Sequence, residues 1–426
     1  MKRIERFLLS RTTVLAVMLL LFTSLAVAYF VPQDPRSAPS SGLAAAAHAI
    51  GFDHVLTSWP FAALIAMAML SMVAALARQF RVALRQTRGS QPPKGGGGVE
   101  VDERSAASAL RSSGYFQIGG DGPIERFVKH PWGWWGGVVL HLGMLIVIAS
   151  SLLFVLTDSM GTAALMQGDV LKPGGAWDVE QRGLLTGSLE LPASVTVTNV
   201  KDEYWENFDL KQLSTTFTFK QGSAVRTHRV WINENALDLG TRVYQGTKYG
   251  EAFLVELSRD GKAAERKALL LPHPVRPDQA GYADFNTSDA AELLRAKYFT
   301  SADKRSMTST DPLLFLRLQS GGAVIGQAEL RNGGTARLGP YSVRLEGVTP
   351  WVELVFVRHL GVPGVFAGFL VILIGSALLY LTPAREAWLL QEGETWRCVW
   401  RAPRFAGLYE DERRGIVSSA KPREAS

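Results

Sequence analysis

The sequence predicts a membrane protein with four transmembrane α-helices and a large β-rich extracytoplasmic domain inserted between helices 3 and 4. Three features predict this class: four apolar blocks without charge, an uneven distribution of basic residues, and a long alternating stretch between the last two blocks. The mean hydropathy of the 426-residue chain is only +0.08, so its apolar residues are concentrated in those blocks.

Each apolar block is long enough to cross a bilayer, because a spanning helix needs roughly 17–25 residues. We place the four helices at residues 13–31, 61–77, 136–157 and 361–382. The first block, which follows "MKRIERFLLSR" and contains "LAVA" near its end, also resembles a signal peptide. Its apolar run is longer than the roughly 7–15 residues of a signal core, so we interpret it as a retained helix.

The basic residues predict the orientation of the helices. They are concentrated in residues 1–12, after the second helix in residues 78–135, and in the tail 383–426, whereas the loop 32–60 holds only Arg36. The positive-inside rule therefore places both termini in the cytoplasm and the 158–360 segment outside. The net charge of +6 follows from this topology, and we expect no nucleic-acid partner.

The segments outside the membrane carry their own patterns. "SSGLAAAAHAIGFDHVL" predicts a short surface helix, and a basic helical stretch after the second span leads into a flexible "QPPKGGGG" linker. "DERSAASALRSSGYF" predicts an amphipathic helix that ends at a glycine.

The outer segment is predicted to be mostly β-structure. Apolar and polar residues alternate in "ASVTVTNV", "STTFTFKQ", "TRVYQG", "LLFLRLQ" and "YSVRLEGV". The dipeptides Asp260-Gly261, Gly321-Gly322 and Asn332-Gly333 each predict a hairpin turn. "SDAAELLRAKYF", residues 288–299, predicts the one helix of this domain.

No catalytic residue is predicted, and whether the chain takes part in an enzyme is left open. P-loop, GxSxG and HExxH motifs are missing from the sequence. The single cysteine, Cys398, falls in the predicted cytoplasmic tail, so the chain has no CxxC pair for dithiol exchange and no thiolate metal site.

His141 is the candidate site residue, because it is the one ionisable side chain in the third apolar block. Such residues usually face protein and have a partner. One interpretation is a hydrogen bond between helices; the other is a metal or haem ligand, since neutral imidazole binds iron strongly. His359, at the outer end of the fourth helix, is a second candidate ligand, although a surface histidine is the simpler interpretation. His228 and His273 have no partner that the sequence reveals.

Several stretches, in order, resemble the ResB/Ccs1 family of System II cytochrome c maturation. "SRTTVLAVMLLLFTSLAVAYFVPQ", "SWPFAALIAM", "GGVVLHLGMLIVIASS" and "PGVFAGFLVILIGSAL" are similar to its four helices, with the histidine of the third matching His141. "VWINENALDLGTRVYQGTKYG" is similar to its outer-domain pattern and places Asn233, Tyr244, Gln245 and Tyr249 on matching positions. Val362 departs from the acidic residue that many members carry before Pro-Gly.

The resemblance implies a subunit of a haem-attachment (cytochrome c synthase) complex in the inner, or plasma, membrane. It implies a ResC/CcsA-like membrane partner, apocytochrome c and thiol-reducing thioredoxin-like proteins as further partners, and transient haem b shared with the partner subunit. His141 would then be a haem axial ligand. Haem would cross the membrane and be presented to the CxxCH motif of apocytochrome c. The alternatives are a membrane-anchored binding or sensing module without haem chemistry, and an independent b-type electron carrier.

Overall fold

The computed structural model describes residues 2–31, 51, 54–89, 92, 97–119, 122–259, 263–287 and 291–420. The chain divides into two compact units. Unit 1 comprises Met1–Leu156 and Leu360–Ser426, and unit 2 comprises Thr157–His359.

Unit 1 contains the four apolar helices, which confirms the predicted number. After a short α1 (Lys2–Leu8), they are α2 (Arg11–Phe30), α3 (Trp59–Arg88), α5 (Gly133–Thr157) and α6 (Val362–Tyr380). Helix α3 includes the basic stretch after the second apolar block, as predicted. The Ser58 hydroxyl caps the start of α3 by accepting a hydrogen bond from the Phe61 amide.

Helices α5 and α6 pack backbone to backbone along a glycine seam, made by Gly136 and Gly143 of α5 with Gly368 and Gly375 of α6. A Cβ atom at Gly143 would lie 2.6 Å from the Ile372 nitrogen, closer than side-chain carbons approach. Small residues allow such contact between membrane helices, where packing and not water exclusion drives association. The seam therefore fixes how α5 lies against α6.

Unit 1 also contains a five-stranded antiparallel sheet that the sequence patterns did not predict. Its strand order is β1-β20-β19-β3-β2. The elements are β1 (Val99–Val101), α4 (Glu103–Ser112), β2 (Phe116–Gly119), β3 (Ile124–Lys129), β19 (Arg385–Glu392), β20 (Thr395–Arg401) and α7 (Glu410–Ala420). Helix α4 is the predicted amphipathic helix; Asp102 caps its start, and Gly114, with a φ of 82°, follows its end.

Pairing in this sheet joins the segment before α5 to the segment after α6. Strand β3 pairs antiparallel with β19. A salt bridge of 2.6 Å between Arg126 and Glu386, whose side chains are 7% and 5% exposed, crosses these two strands. The two segments therefore lie on the same side of the α5–α6 pair.

Unit 2 consists of three antiparallel sheets. The largest has the order β10-β11-β18-β4-β6, with β12 on β11 and β17 on β18; the others are β13-β14-β15-β16 and β5-β7-β8-β9. The strands are β4 (Ser159–Met166), β5 (Val170–Leu171), β6 (Val179–Arg182), β7 (Ser194–Tyr204), β8 (Leu210–Gln221), β9 (Ala224–Trp231), β10 (Asn235–Asp238), β11 (Thr241–Ser258), β12 (Glu265–Pro272), β13 (Gly281–Asn286), β14 (Glu292–Phe299), β15 (Leu313–Ser320), β16 (Ala323–Leu330), β17 (Thr335–Leu338) and β18 (Tyr341–Arg358). The five alternating stretches all form strands, as predicted.

The predicted helix at residues 288–299 is wrong, since Glu292–Phe299 forms strand β14. Leu294, Ala296 and Tyr298 are buried while Arg295 and Lys297 are exposed, which is the two-residue period of a strand. The segment is rich in residues that favour helices, but its pairing with β13 and β15 overrides this helix propensity.

The three predicted hairpin turns have different outcomes. Gly321-Gly322 joins the paired strands β15 and β16 with φ angles of 57° and 86°, which confirms that hairpin. Asn332-Gly333 is a turn, but it joins β16 and β17, which belong to different sheets, so the hairpin prediction is wrong. Asp260-Gly261 lies outside the described residues, although the flanking strands β11 and β12 pair.

Two further predictions fall largely outside the described residues: the short surface helix of the first outer loop and the glycine-rich linker. Of the former, the structure describes Gly51, His54 and a short 3₁₀ turn, Val55–Thr57.

Candidate functional site

His141 lies on α5, eight residues and about 12 Å of helical rise after Gly133. Its Nδ1 is 2.7 Å from the carbonyl oxygen of Gly137. A carbonyl can only accept a hydrogen bond, so Nδ1 carries the proton and donates. In the neutral ring, Nε2 is then the nitrogen with a free lone pair, and among the described residues it makes no hydrogen bond.

This arrangement is the one that metal-binding histidines usually adopt. Their second ring nitrogen donates to a carbonyl or carboxylate, which fixes the tautomer and the ring orientation. The sequence predicted His141 but not this bond, because a four-residue spacing does not reveal which way a side chain turns.

The tryptophans before His141 pack against different neighbours. Trp132 donates from Nε1 to the Thr382 hydroxyl at 3.0 Å, and the Trp135 ring meets Phe80 of α3 edge-on at 5.5 Å. Trp134 is buried, and Arg126 lies over its ring at 5.0 Å. These contacts anchor the start of α5 to α3 and to the residues after α6.

His359 follows strand β18 and has an acidic neighbour. Its Nδ1 lies 3.8 Å from Asp158 Oδ1, and both side chains are 14% exposed. Burial lowers the pKa of His359 and raises that of Asp158. Asp158, the neighbour of His359, directly follows the end of α5, which runs for 16 residues, about 24 Å, from His141 to Thr157.

Unit 2 holds a buried polar cluster around His273 that sequence reasoning missed. The His273 side chain is 3% exposed, and its Nε2 lies 3.0 Å from the Tyr204 hydroxyl. Its ring stacks against the rings of Tyr204 and Tyr249, with centroids 5.3 Å and 5.2 Å away. Tyr249 is one of the positions matched to the family pattern. The partners come from β7 and β11, so no local spacing could have shown them.

Two acidic residues lie near the His273 cluster: Asp202, and Glu251, which follows Tyr249 by two residues on β11. Asp202 Oδ2 lies 3.8 Å from His273 Nε2, and burial raises the pKa of Glu251 to about 7. Burial also lowers the pKa of His273 and raises those of the Tyr204 and Tyr249 hydroxyls. Burial therefore favours the neutral forms of His273, Tyr204 and Tyr249 near neutral pH.

The remaining predicted positions have structural contacts. His228 Nε2 lies 2.7 Å from Asp238 Oδ2, so this histidine has the partner that the sequence did not reveal. Asn233 has a φ of 65° in a turn, and Gln245 accepts a hydrogen bond from the Thr215 hydroxyl at 2.8 Å. Among the described residues, no group of three or more His, Cys, Asp or Glu side chains could hold a metal ion.

Four apolar helices and a large β-rich unit define a multi-span membrane protein, and one of those helices carries a histidine whose Nδ1 is hydrogen-bonded to a backbone carbonyl. The chain belongs to the ResB-like family, since the model of that family matches residues 16–293, well over half of its length. It is also 22% identical over 406 residues to the cytochrome c biogenesis protein CcsB of Picosynechococcus sp.. That alignment covers 87% of this chain and 79% of the relative.

Proposed function

We propose that this chain is a subunit of the System II machinery of cytochrome c maturation, in which it binds haem in the membrane and helps present it to apocytochrome c. Membership of the ResB-like family and similarity to a cytochrome c biogenesis protein support this role. The observation that carries the proposal is the hydrogen bond from His141 Nδ1 to the Gly137 carbonyl.

That bond prepares the imidazole for iron. It holds the ring in one tautomer and directs the lone pair to Nε2, where neutral imidazole is a strong iron ligand. Haem is here the cargo, so His141 would hold its iron reversibly and take no part in bond breaking.

A second iron ligand would come from another chain. Helices α2, α3 and α6 contain no histidine, and His359 follows strand β18. A ResC/CcsA-like partner would supply that ligand and share the haem b. Thioether formation would then take place with apocytochrome c on the outer face, where thioredoxin-like proteins keep the CxxCH thiols reduced. The lone Cys398 of this chain is buried and cannot do so.

The location that fits this role is the inner membrane. Both termini and the five-stranded sheet would lie in the cytoplasm, and unit 2 would lie in the periplasm. The basic residues of the first 12 positions and of the helix end at Arg78–Arg88 support this orientation.

Absorbance of the purified protein tests the proposal. Co-expressed with its ResC/CcsA-like partner, the chain should purify with a haem Soret band, and alone it should be nearly colourless because one ligand binds weakly. His141→Ala should remove most of that haem and stop cytochrome c assembly without preventing membrane insertion. His130→Asn is the matched control, since asparagine tolerates the φ of 55° at that position.

Chemical rescue separates ligation from packing. His141→Gly with added imidazole should regain part of the haem, because free imidazole can occupy the vacated position. Equal haem content and cytochrome yield in His141→Ala would contradict the proposal. His141 would then be a residue that packs α5, and the chain a membrane-anchored binding or sensing module.

A further inference from the structure

A small cavity lies at the start of α5, one helical turn before His141. Its volume is about 130 Å³, and it is bounded by α3, α5, the end of α6 and the residues that follow α6. The residues of interest on its wall are Gln79, Gln86, Trp134, Gly137 and Arg404. It is too small for a whole tetrapyrrole but has room for a carboxylate.

The wall of this cavity offers hydrogen-bond donors and a positive charge. Trp134 is 8% exposed, and its indole Nε1 is buried with no hydrogen-bond partner among the described residues. The cavity wall contains no Asp or Glu, and Arg404 is its one charged residue. Arg404 lies 5.9 Å from the Tyr380 ring and forms no ion pair within the described part of the chain. A buried donor without an acceptor is costly, so an anion would satisfy the Trp134 indole, and the exposed guanidinium of Arg404 would add a charge-assisted hydrogen bond.

The nearest buried cation does not serve this purpose. Arg126, which lies over the Trp134 ring, is neutralised by Glu386 and also donates to the Gln86 carbonyl at 2.7 Å. Glu386 is paired with Arg126, so its negative charge does not repel an anion beside Trp134. The remaining positive potential is that of Arg404.

The cavity and His141 share one face of α5. Trp134 and Gly137 precede His141 by seven and four residues, spacings that place all three on the same side of a helix. The Gly137 carbonyl holds the imidazole, and a Cβ at Gly137 would lie 3.4 Å from Gln79 Oε1 on the cavity wall. About 10 Å of helical rise separates Trp134 from His141. This distance is comparable with the distance between the iron of haem and its propionate groups.

We propose that this cavity is a carboxylate subsite, in which the indole N–H of Trp134 and the guanidinium of Arg404 bind a propionate of the cargo whose iron is held by His141. The inference rests on the proposed function. It adds a recognition site on the same helix face, which would orient the cargo with its carboxylates toward the end of α5 that carries the tryptophans. A phospholipid phosphate has the same oxyanion chemistry and is the competing occupant.

Titration of the purified complex of full-length chain and partner tests the subsite, with haemin and haemin dimethyl ester as probes and Soret absorbance as the measurement. Trp134→Phe and Arg404→Gln should each weaken haemin binding about tenfold, the scale of a lost hydrogen bond to a charged group. Neither variant should change binding of the ester, which lacks the carboxylates. Trp59→Phe and Arg401→Gln, which alter exposed side chains outside the cavity wall, are the matched controls.

The outcomes are distinct. Equal weakening of haemin and ester, or no weakening of either, would overturn the subsite while leaving His141 as ligand. Loss of co-purified phospholipid from the cavity variants, with unchanged haemin affinity, would assign the cavity to a lipid phosphate and also overturn it. A wild-type complex that binds neither probe would reject the proposed function and this inference with it.

Discussion

Burial shifts the pKa values of His273 and Glu251, and the two shifts change the stability of the fold with pH in opposite directions. The folded state lowers the pKa of His273, so its contribution destabilises the fold as pH falls below the unfolded value of about 6.5. It raises the pKa of Glu251 from 4.5 to about 7. The folded state therefore binds that proton more tightly, and stability falls as pH rises from about 4.5 to about 7.

Glu251→Gln should stabilise the protein at high pH. The amide keeps the shape of the protonated carboxyl group and cannot ionise, so the free energy of unfolding at pH 8 should rise by roughly 1–3 kcal/mol. At pH 4.5 or below the gain should vanish, because the wild-type carboxyl group is then protonated as well. Urea unfolding of the full-length protein in detergent, followed by circular dichroism at both pH values, measures the difference.

Glu256→Gln is the control for this substitution. Glu256 lies on the same strand with its side chain 28% exposed and only a distant pairing, 3.9 Å, to Arg266. Exposed pairs contribute little to stability, so this variant should show no gain that depends on pH. A gain of the same size in both variants would contradict the assignment to Glu251.

Helices α5 and α6 owe their contact to residues without side chains. A Cβ at Gly375 would collide with the backbone nitrogen of Leu140, and backbone atoms cannot move aside without displacing the helix. His141 is the residue that follows Leu140 on α5. Packing at the seam therefore positions the candidate ligand.

Gly375→Val should separate the two helices. Overpacking of a close contact costs about 1–3 kcal/mol, so the variant should unfold at lower temperature and, if the proposed function holds, retain less haem. Ala149→Leu, which enlarges an exposed side chain of α5, should leave both properties unchanged. Thermal unfolding in detergent and the Soret absorbance of the co-expressed complex are the measurements. An unaltered melting temperature in Gly375→Val would show that the seam does not hold the helices.

The orientation of the whole molecule depends on charge asymmetry, and the native cysteine cannot report it. Cys398 lies in β20, is 3% exposed, and burial raises its pKa to about 11. Its thiol should therefore resist labelling from either side of the membrane.

Two introduced cysteines should report the orientation instead. Ser223→Cys lies in an exposed turn of unit 2, and Ser108→Cys lies on the exposed side of α4. A membrane-impermeant thiol reagent applied to intact cells should label Ser223→Cys only, and both should react after the cells are permeabilised. Labelling of Ser108→Cys in intact cells would reverse the proposed orientation.

The sequence alone determined the four helices, five strands of unit 2 and the candidate ligand His141. Each of these depends on properties that neighbouring residues carry themselves: uncharged length, two-residue alternation, and an ionisable group within an apolar run. The family resemblance added Tyr249, but not the histidine that it contacts.

Tertiary structure decided the rest. Strand β3 pairs with β19 across more than 250 residues of sequence, so the five-stranded sheet leaves no local pattern that would identify its partners. The sequence of β14 favours a helix, but the segment forms a strand because it pairs with β13 on one side and β15 on the other. The His273 cluster and the cavity beside Trp134 likewise form between distant segments. Local composition fixes what a segment can become, whereas long-range contacts select its partners and so set the polar environments that bind protons and ligands.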